Sequence, residues 1–302
     1  MSYWLAVAVM GAVGLQLAFQ APVNSRLGET VGRLAASLVS ILTGTLILLV
    51  ICLFAGKLDG LAEIGDAPAW ALTGGLIGAF FVAGSTLTVI RLGAGTIAAA
   101  IITGQLSSSL VFDGLGLFGL DKSPVTASRL AGVLLLIVGT WLVIRRGSRA
   151  HQHQRLGIEG MALVAVMVFA GVLVGAQPPI NGALAEETGG LAAALFNFLS
   201  ASAAIVLLVV ALREGSRLGR LRSVPRRYFW GGPIGVITVT ASLLLVGTIG
   251  AAVLAAAIVT GQLLAGIGLD RFGLLGLEKR PLTTSRLAGV ALLIAGTGLT
   301  AF

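Results

Sequence analysis

Charged residues are scarce in this sequence. Asp, Glu, Lys and Arg make up 11% of its 302 residues, whereas a soluble domain carries about 25%. Hydrophobic residues reach 57%, and the mean hydropathy is +1.02. A chain of this composition would expose large apolar areas in water. It therefore excludes an ordinary soluble protein and favours a lipid bilayer as the surrounding medium.

Residues that carry chemistry are also few. The single cysteine, Cys52, cannot form an internal disulfide. The two histidines, His151 and His153, lie together in a polar segment, and no cluster has metal-ligand spacing. We find no phosphate-binding lysine motif and no nucleophile with a base beside it. We therefore expect no metal, no cofactor and no enzyme activity. The net charge of +8 lies in short loops between apolar runs, which argues against a nucleic-acid partner.

An internal repeat organises the chain. Residues 98–142 and 255–299 align without a gap at an offset of 157 residues, and more than half of the aligned positions are identical. The sequence therefore predicts two copies of one unit, 1–146 and 158–302, joined by the short basic linker 147–157. The same offset matches Gln20 with Gln177, Pro22 with Pro179, Asn24 with Asn181, and Ser85 with Ser242.

Five apolar stretches in each copy are long enough to cross a bilayer, which takes about 20 mostly apolar residues. The 43 glycines fit this class, because glycine is frequent in membrane helices. The sequence therefore predicts an all-α membrane protein of ten transmembrane helices. They run over 3–27, 32–56, 69–91, 94–114 and 124–145 in the first copy and over 160–185, 189–212, 227–248, 251–270 and 281–302 in the second.

An odd number of helices per copy inserts the second copy upside down, which makes the copies inverted-topology repeats. Loop 57–68 has one basic residue, and its counterpart 213–227 has six. If both termini lie on the outer side of the membrane, Lys57, Lys122 and Arg129 are the only ones of the 20 Lys and Arg on that side. The positive-inside rule favours this orientation, because it places most basic residues in the cytoplasm. We therefore expect a multi-pass protein of the bacterial inner membrane. Inverted repeats are typical of secondary transporters, which bind substrate between the repeats.

The first polar cluster inside an apolar run is repeated late in the first helix of each copy. Gln20 and Asn24 are four residues apart and share one helix face, as do Gln177 and Asn181. Pro22 leaves the carbonyl group four residues earlier without its helical partner. A kinked helix with two amides on one side is a candidate substrate contact. A helix end, or amide bonds between helices, would explain the same pattern.

The second cluster lies near the middle of the fourth helices and has the repeated sequence Thr-Gly-Gln-Leu. Gln105 and its counterpart Gln262 sit roughly 5 Å from the bilayer midplane, taking 1.5 Å of rise per residue. A glutamine this deep needs hydrogen-bond partners, or it costs several kcal/mol. We expect these residues to bind substrate, and a hydrogen bond between helices is the alternative. The matched residues are Thr103 and Gln105 in the first copy and Thr260 and Gln262 in the second.

The third cluster joins the fourth and fifth helices of each copy. Asp113 pairs with Arg129, and Asp270 with Arg286, either as salt bridges that close a hairpin or as a gate. Ser40 and its counterpart Asn197 are further candidates for the lining of a substrate cavity. No Asp or Glu lies deep in an apolar run, so a buried carboxylate that carries a proton or a cation is not expected.

The ten-helix pattern resembles the drug/metabolite transporter superfamily. Gln20 and Asn24 late in the first helix, together with the Thr-Gly-Gln-Leu of the fourth, look most like its YdcZ-type branch. That branch has members with one five-helix unit and fused members with two, and this chain resembles a fused one. The resemblance implies a secondary transporter that exports small molecules, with the first four helices of each half lining the cavity.

We therefore predict transport of a small polar or amphipathic metabolite or drug by alternating access, in a monomer or homodimer. Amides suit a neutral, zwitterionic or hydrogen-bonding substrate. A lipid flippase or scramblase is the second hypothesis, and it requires a polar groove open sideways to the bilayer. A scaffold is the third, and it would leave the midplane amides paired with one another.

Overall fold

The computed structural model describes residues 2–119, 122, 124–144, 157–249 and 251–301, so the predicted linker 147–157 lies outside them except for Gly157. Regular structure in the described residues is entirely helical, which confirms the all-α class. Short 3-10 segments lie between some of the helices. The α-helices are α1 (Tyr3–Leu17), α2 (Gln20–Val31), α3 (Arg33–Phe54), α4 (Gly74–Leu92), α5 (Ala94–Leu115), α6 (Ala127–Ile144), α7 (Ile158–Thr188), α8 (Gly190–Ala211), α9 (Gly231–Ile249), α10 (Ala251–Phe272) and α11 (Thr284–Ala301).

Among the described residues, eight helical segments are long and apolar enough to cross a membrane, and Thr284–Thr300 is a shorter apolar helix. Many of the large apolar side chains on their outer faces are exposed, as expected where lipid and not water surrounds the protein. The eight segments are Tyr3–Val31, Arg33–Phe54, Ala69–Leu92, Ala94–Leu115, Ala127–Ile144, Ile158–Thr188, Gly190–Ala211 and Val253–Phe272.

The regular hydrogen bonding of the first predicted helix is interrupted at Ala18 and Phe19, although both residues keep helical φ and ψ. Pro22 has no N–H to donate to the carbonyl of Ala18, so the regular hydrogen bonding stops there. Helix α1 ends at Leu17, Phe19 N–H donates to the Gln16 carbonyl at 3.0 Å, and α2 begins at Gln20. The corresponding helix of the second copy, α7, is continuous although it contains two prolines. The two copies therefore differ here in helical hydrogen bonding, while each forms one apolar segment, Tyr3–Val31 and Ile158–Thr188.

Single glycines with positive φ join consecutive helices at three places in the described residues. Gly32, Gly93 and Gly189 have φ of 98°, 83° and 78°, a region that other residues rarely adopt. The N–H of each donates to the carbonyl four residues earlier, which ends one helix, and the next helix starts at the following residue. Neighbouring helices are therefore joined there by sharp reversals with no loop between them.

The longer connections lie at two opposite ends of the bundle. At the first residues of α3, Gly32 lies against the side chain of Glu214 in the connection between α8 and α9. At the other end of α3, Gly60 lies directly against the carbonyl of Thr188, where α7 ends. The connection after α8 is therefore at one end of the bundle, and the connection after α3 is at the other.

Helices of one copy cross helices of the other at glycines. Helix α1 packs on α10 because Gly14 lies against the Ile258 carbonyl, and α7 packs on α5 because Gly171 lies against the Ile101 carbonyl. Gly104 of α5 meets the backbone of α7 in the same way. These crossings repeat at the offset of 157 residues. Small residues let membrane helices approach closely, so these contacts hold the copies together.

The last helices of the two copies, α6 and α11, also pack on each other through glycine. A Cβ added at Gly132 would lie 2.9 Å from the Gly296 carbonyl, and one added at Gly139 would lie 2.8 Å from the Gly289 carbonyl. The earlier glycine of each helix thus faces the later glycine of the other. Helices α6 and α11 are therefore antiparallel.

We predict that Gly104→Ala destabilises the protein by about 1–3 kcal/mol, because its methyl group would overlap the α7 backbone. Gly268→Ala in α10 is the matched control, since a Cβ there meets nothing within 4 Å. The measurement is the melting temperature of the purified protein in detergent. Equal melting temperatures for the two variants would contradict the packing described for α5 and α7.

Candidate functional site

A small cavity lies where α1 and α2 meet, between α4, α5 and α10. Its volume is about 20 Å³, room for about one water molecule. The cavity draws most of its lining from the first copy and one side chain, Gln262, from the second. Its lining residues are Leu17, Ala18, Gln20, Ala21, Asn24, Phe81, Val82, Ser85, Val89, Ala94, Ile97 and Gln262.

The cavity brings together three of the amides predicted from the sequence. Gln20 and Asn24 follow the interruption between α1 and α2, and Gln262 enters from α10. The Gln20 Nε2 donates to the Gly231 carbonyl at 2.9 Å, so this side chain also ties α2 to α9. The arrangement places donors and acceptors from both copies around one space.

Asn24 is the exceptional group in this cavity. Its side chain is 1% exposed, and both its Nδ2 and its Oδ1 lack a hydrogen-bond partner. The hydroxyl of Ser85, also at the cavity, is buried and unpartnered as well. Each unsatisfied buried group costs roughly 1–3 kcal/mol. Such a concentration at one cavity is what a site for a hydrogen-bonding ligand requires.

The matching residues of the second copy are only partly equivalent. The Gln177 Nε2 donates to the Gly74 carbonyl at 3.0 Å, which reproduces the contact of Gln20. Asn181, however, accepts a hydrogen bond from the Nδ2 of Asn197 at 3.0 Å. The Asn197 Oδ1 is buried without a partner. The second copy therefore uses its asparagines to join α7 to α8.

The other predicted residues lie elsewhere. The Thr103 hydroxyl bonds to Thr140 and to the Leu136 carbonyl, so it joins α5 to α6. Gln105 and Thr260 are half-buried and do not line this cavity. Ser40 is buried against Gly231, beside Asn24. The cavity thus gathers Gln20, Asn24 and Gln262 from the predicted set and leaves the rest outside it.

Two polar residues near the site were missed. Ser85 lines the cavity, and its only sign in the sequence was the match with Ser242 in the repeat. Gln16 donates to the Ile234 carbonyl at 3.3 Å and to Thr238 Oγ1 at 3.4 Å, which ties α1 to α9. Gln16 aligns with a leucine in the second copy, so the repeat provided no signal for it.

Both predicted ion pairs are formed, and they differ in burial. The Arg129 Nη2 lies 2.6 Å from the Asp113 Oδ2, and these side chains are 18% and 30% exposed. The Arg286 Nη2 lies 2.8 Å from the Asp270 Oδ2, and these are 7% and 0% exposed. Asp270 is a buried carboxylate near the end of α10, paired with Arg286, and it is not one of the deep residues considered as proton or cation carriers. This side chain is fully enclosed because the start of α5 covers it.

Asp270 also links the two copies. Its Oδ1 accepts a hydrogen bond from Ala94 N–H at 2.8 Å, and its Oδ2 accepts one from Gly95 N–H at 3.3 Å. These are the first residues of α5, where free N–H groups and the helix dipole favour a negative charge. A side chain of the second copy therefore caps a helix of the first.

Comparisons with known proteins agree with this architecture. A family model described as "Putative inner membrane exporter, YdcZ" matches the chain twice, over residues 5–142 and 162–299. The inner membrane protein YdcZ of Escherichia coli (strain K12) is 32% identical over 150 residues, which cover 99% of that protein and 48% of this chain. The relative therefore corresponds to about half of this chain.

A solved crystal structure aligns with 97% of this chain over 96% of its own length, with a TM-score of 0.59 and 16% sequence identity. At this identity the likeness shows a shared fold. The family model, by contrast, covers nearly all of the chain in two successive matches. The chain therefore belongs to the YdcZ-type branch of the drug/metabolite transporters and is a multi-pass protein of the inner membrane.

Proposed function

We propose that this protein is a secondary transporter that exports a small polar or amphipathic metabolite or drug by alternating access. The observation that carries the proposal is the Asn24 carboxamide, which is fully buried, unpartnered and at the wall of a cavity. Gln20 and Gln262 supply further amides there, and Ser85 supplies a hydroxyl. The description of the family as an exporter supports the direction of transport.

The lining of the cavity indicates the charge of the substrate. Its polar side chains are amides and one hydroxyl, which are neutral at every physiological pH. Binding an isolated ion among them would cost the hydration energy of that ion with no opposite charge to offset it. The substrate class is therefore a neutral or zwitterionic molecule with hydrogen-bond donors and acceptors.

The proposal includes ten transmembrane helices in two inverted five-helix repeats. The antiparallel packing of α6 on α11 supports it, as do the glycine contacts that recur at an offset of 157 residues. The two family-model matches support the division into two units. In such repeats, exchange of conformations between the halves moves access from one side of the membrane to the other.

The ion pairs serve as gates in this scheme. Asp270 is sealed against the start of α5, whereas Asp113 is 30% exposed. We assign the structure to a state that is closed at the Asp270 end, with a cavity too small for a metabolite. Opening requires separation of Asp270 from the α5 N-terminus. In the state that is open at the Asp270 end, the more exposed pair of Asp113 and Arg129 would close the other end of the cavity.

The flippase hypothesis receives less support. A groove of about 400 Å³ does open between α3 and α9. Its lining is apolar apart from Thr240, whereas lipid flipping needs a polar path for the headgroup. The scaffold hypothesis is disfavoured because the Asn24 amide is not paired with another side chain. The groove is lined by Ile47, Ile51, Pro233, Val236, Ile237, Thr240, Ala241 and Leu244.

We predict that Gln262→Ala and Asn24→Ala lower substrate affinity about tenfold or more, since each loses at least one hydrogen bond of about 1.4 kcal/mol in a buried site. The substrate is first identified by a thermal-shift screen of metabolites on the purified protein. Uptake into proteoliposomes then measures affinity. Gln105→Ala is the matched control, because Gln105 occupies the equivalent position outside the cavity. Wild-type affinity in both cavity variants would remove them from the site.

We predict that both chain termini face the periplasm. In a Cys52→Ala background, Ser2→Cys should react with a membrane-impermeant maleimide in intact cells, because the positive-inside rule places the arginine-rich connection 213–227 in the cytoplasm. Ser216→Cys in that connection should react only after permeabilisation. The reverse pattern of labelling would show that the orientation is wrong.

We predict that Asp270→Ala destabilises the protein by about 3–5 kcal/mol, because it leaves the buried Arg286 without its counter-ion. Asp113→Ala should cost about 1 kcal/mol or less, since its pair is partly exposed. Melting temperatures of the two purified variants test the comparison. A larger loss in Asp113→Ala would contradict the assignment of the sealed end.

A further inference from the structure

The residue beside the buried asparagine differs between the two copies. Asn181 in the second copy is paired, because Asn197 reaches it with a hydrogen bond of 3.0 Å. The residue that matches Asn197 in the first copy is Ser40. Asn24, which matches Asn181, has both amide atoms buried and unpartnered. The only chemical difference between the two pairs is serine in place of asparagine.

Both pairs lie against a glycine of a neighbouring helix, although Asn24 and Ser40 are buried and Asn181 and Asn197 are half-buried. Asn24 and Ser40 both lie against Gly231, and Asn181 and Asn197 both lie against Gly74. The glutamine one turn earlier donates to that same glycine in each copy, at 2.9 Å in the first and 3.0 Å in the second. The contact between this glutamine and the glycine is therefore equivalent in the two copies. Ser40 offers a hydroxyl where Asn197 offers an amide, and Asn24 has no hydrogen-bond partner in the structure.

We propose that Ser40 is a positioning residue that keeps the Asn24 carboxamide free for substrate. A free carboxamide offers an acceptor and a donor side by side. The group that satisfies both has the complementary pair, as a carboxamide, a urea or the edge of a nucleobase does. This inference rests on the function proposed above, and it assigns the binding group to the first copy alone.

The substitution Ser40→Asn tests the inference because it recreates the pair of the second copy. The introduced asparagine would bond to Asn24, and the affinity for carboxamides should fall about tenfold or more. The probes are acetamide and nicotinamide, and the readout is the rise in melting temperature of the purified protein with probe concentration.

A second comparison needs no ligand. Replacing Asn24 by leucine removes two unsatisfied buried atoms while keeping a similar shape, so the melting temperature should rise. Replacing Asn181 by leucine removes the acceptor of Asn197, so the melting temperature should fall. A higher melting temperature for Asn24→Leu together with a lower one for Asn181→Leu is expected only if Asn24 is free and Asn181 is paired. This comparison tests whether Asn24 is free, which the inference requires, even if Ser40→Asn does not fold.

Three results would overturn the inference. Carboxamide affinity equal to wild type in Ser40→Asn would show that Ser40 does not control Asn24. A melting temperature below wild type in Asn24→Leu would show that Asn24 is paired after all. Failure of both probes to shift the wild-type protein would reject the assigned ligand class. The proposed transport function is tested separately, by the activity of Asn24→Ala and Gln262→Ala.

Discussion

The bilayer supplies no hydrogen-bond partner to a polar group, and this constraint governs the whole molecule. Many deep polar side chains here are paired within the protein, and several of those pairs join helices: Thr103 to α6, Gln177 to α4, and Gln16 to α9. Asn24, at the wall of the cavity, has neither amide atom paired. A group that violates so strong a constraint is where substrate binding is best sought, because function is the common reason for such a cost.

Glycine provides the other condition for this architecture. Lipid does not drive helices together by the hydrophobic effect, so their association depends on close packing. The contacts of Gly14 and Gly171 bring backbones of the two copies together, and those of Gly132 and Gly139 do the same for α6 and α11. The copies therefore form one bundle, in which a movement of either half must change the contacts of the other.

Three departures from the pseudo-symmetry concern the proposed mechanism. Helical hydrogen bonding is interrupted at Ala18 and Phe19 in the first copy, whereas α7 is continuous. Asp270 is sealed, whereas Asp113 is partly exposed. Ser40 stands where the second copy has an asparagine. The first two differences are those expected when one sequence repeat occupies two conformations. The third is chemical and persists in every conformation.

By itself, the sequence determined the membrane environment, the all-helical class, the repeat and the transporter family, because each of these depends on composition or on patterns that recur along the chain. It also indicated Gln20, Asn24 and Gln262, since amides in apolar runs are conspicuous. Only the tertiary structure decided which amides share a cavity, because pairing depends on the neighbouring helix: Thr103 pairs with α6, whereas no group pairs with the Asn24 amide. It also decided the burial of Asp270, since the helix that encloses this carboxylate belongs to the other copy.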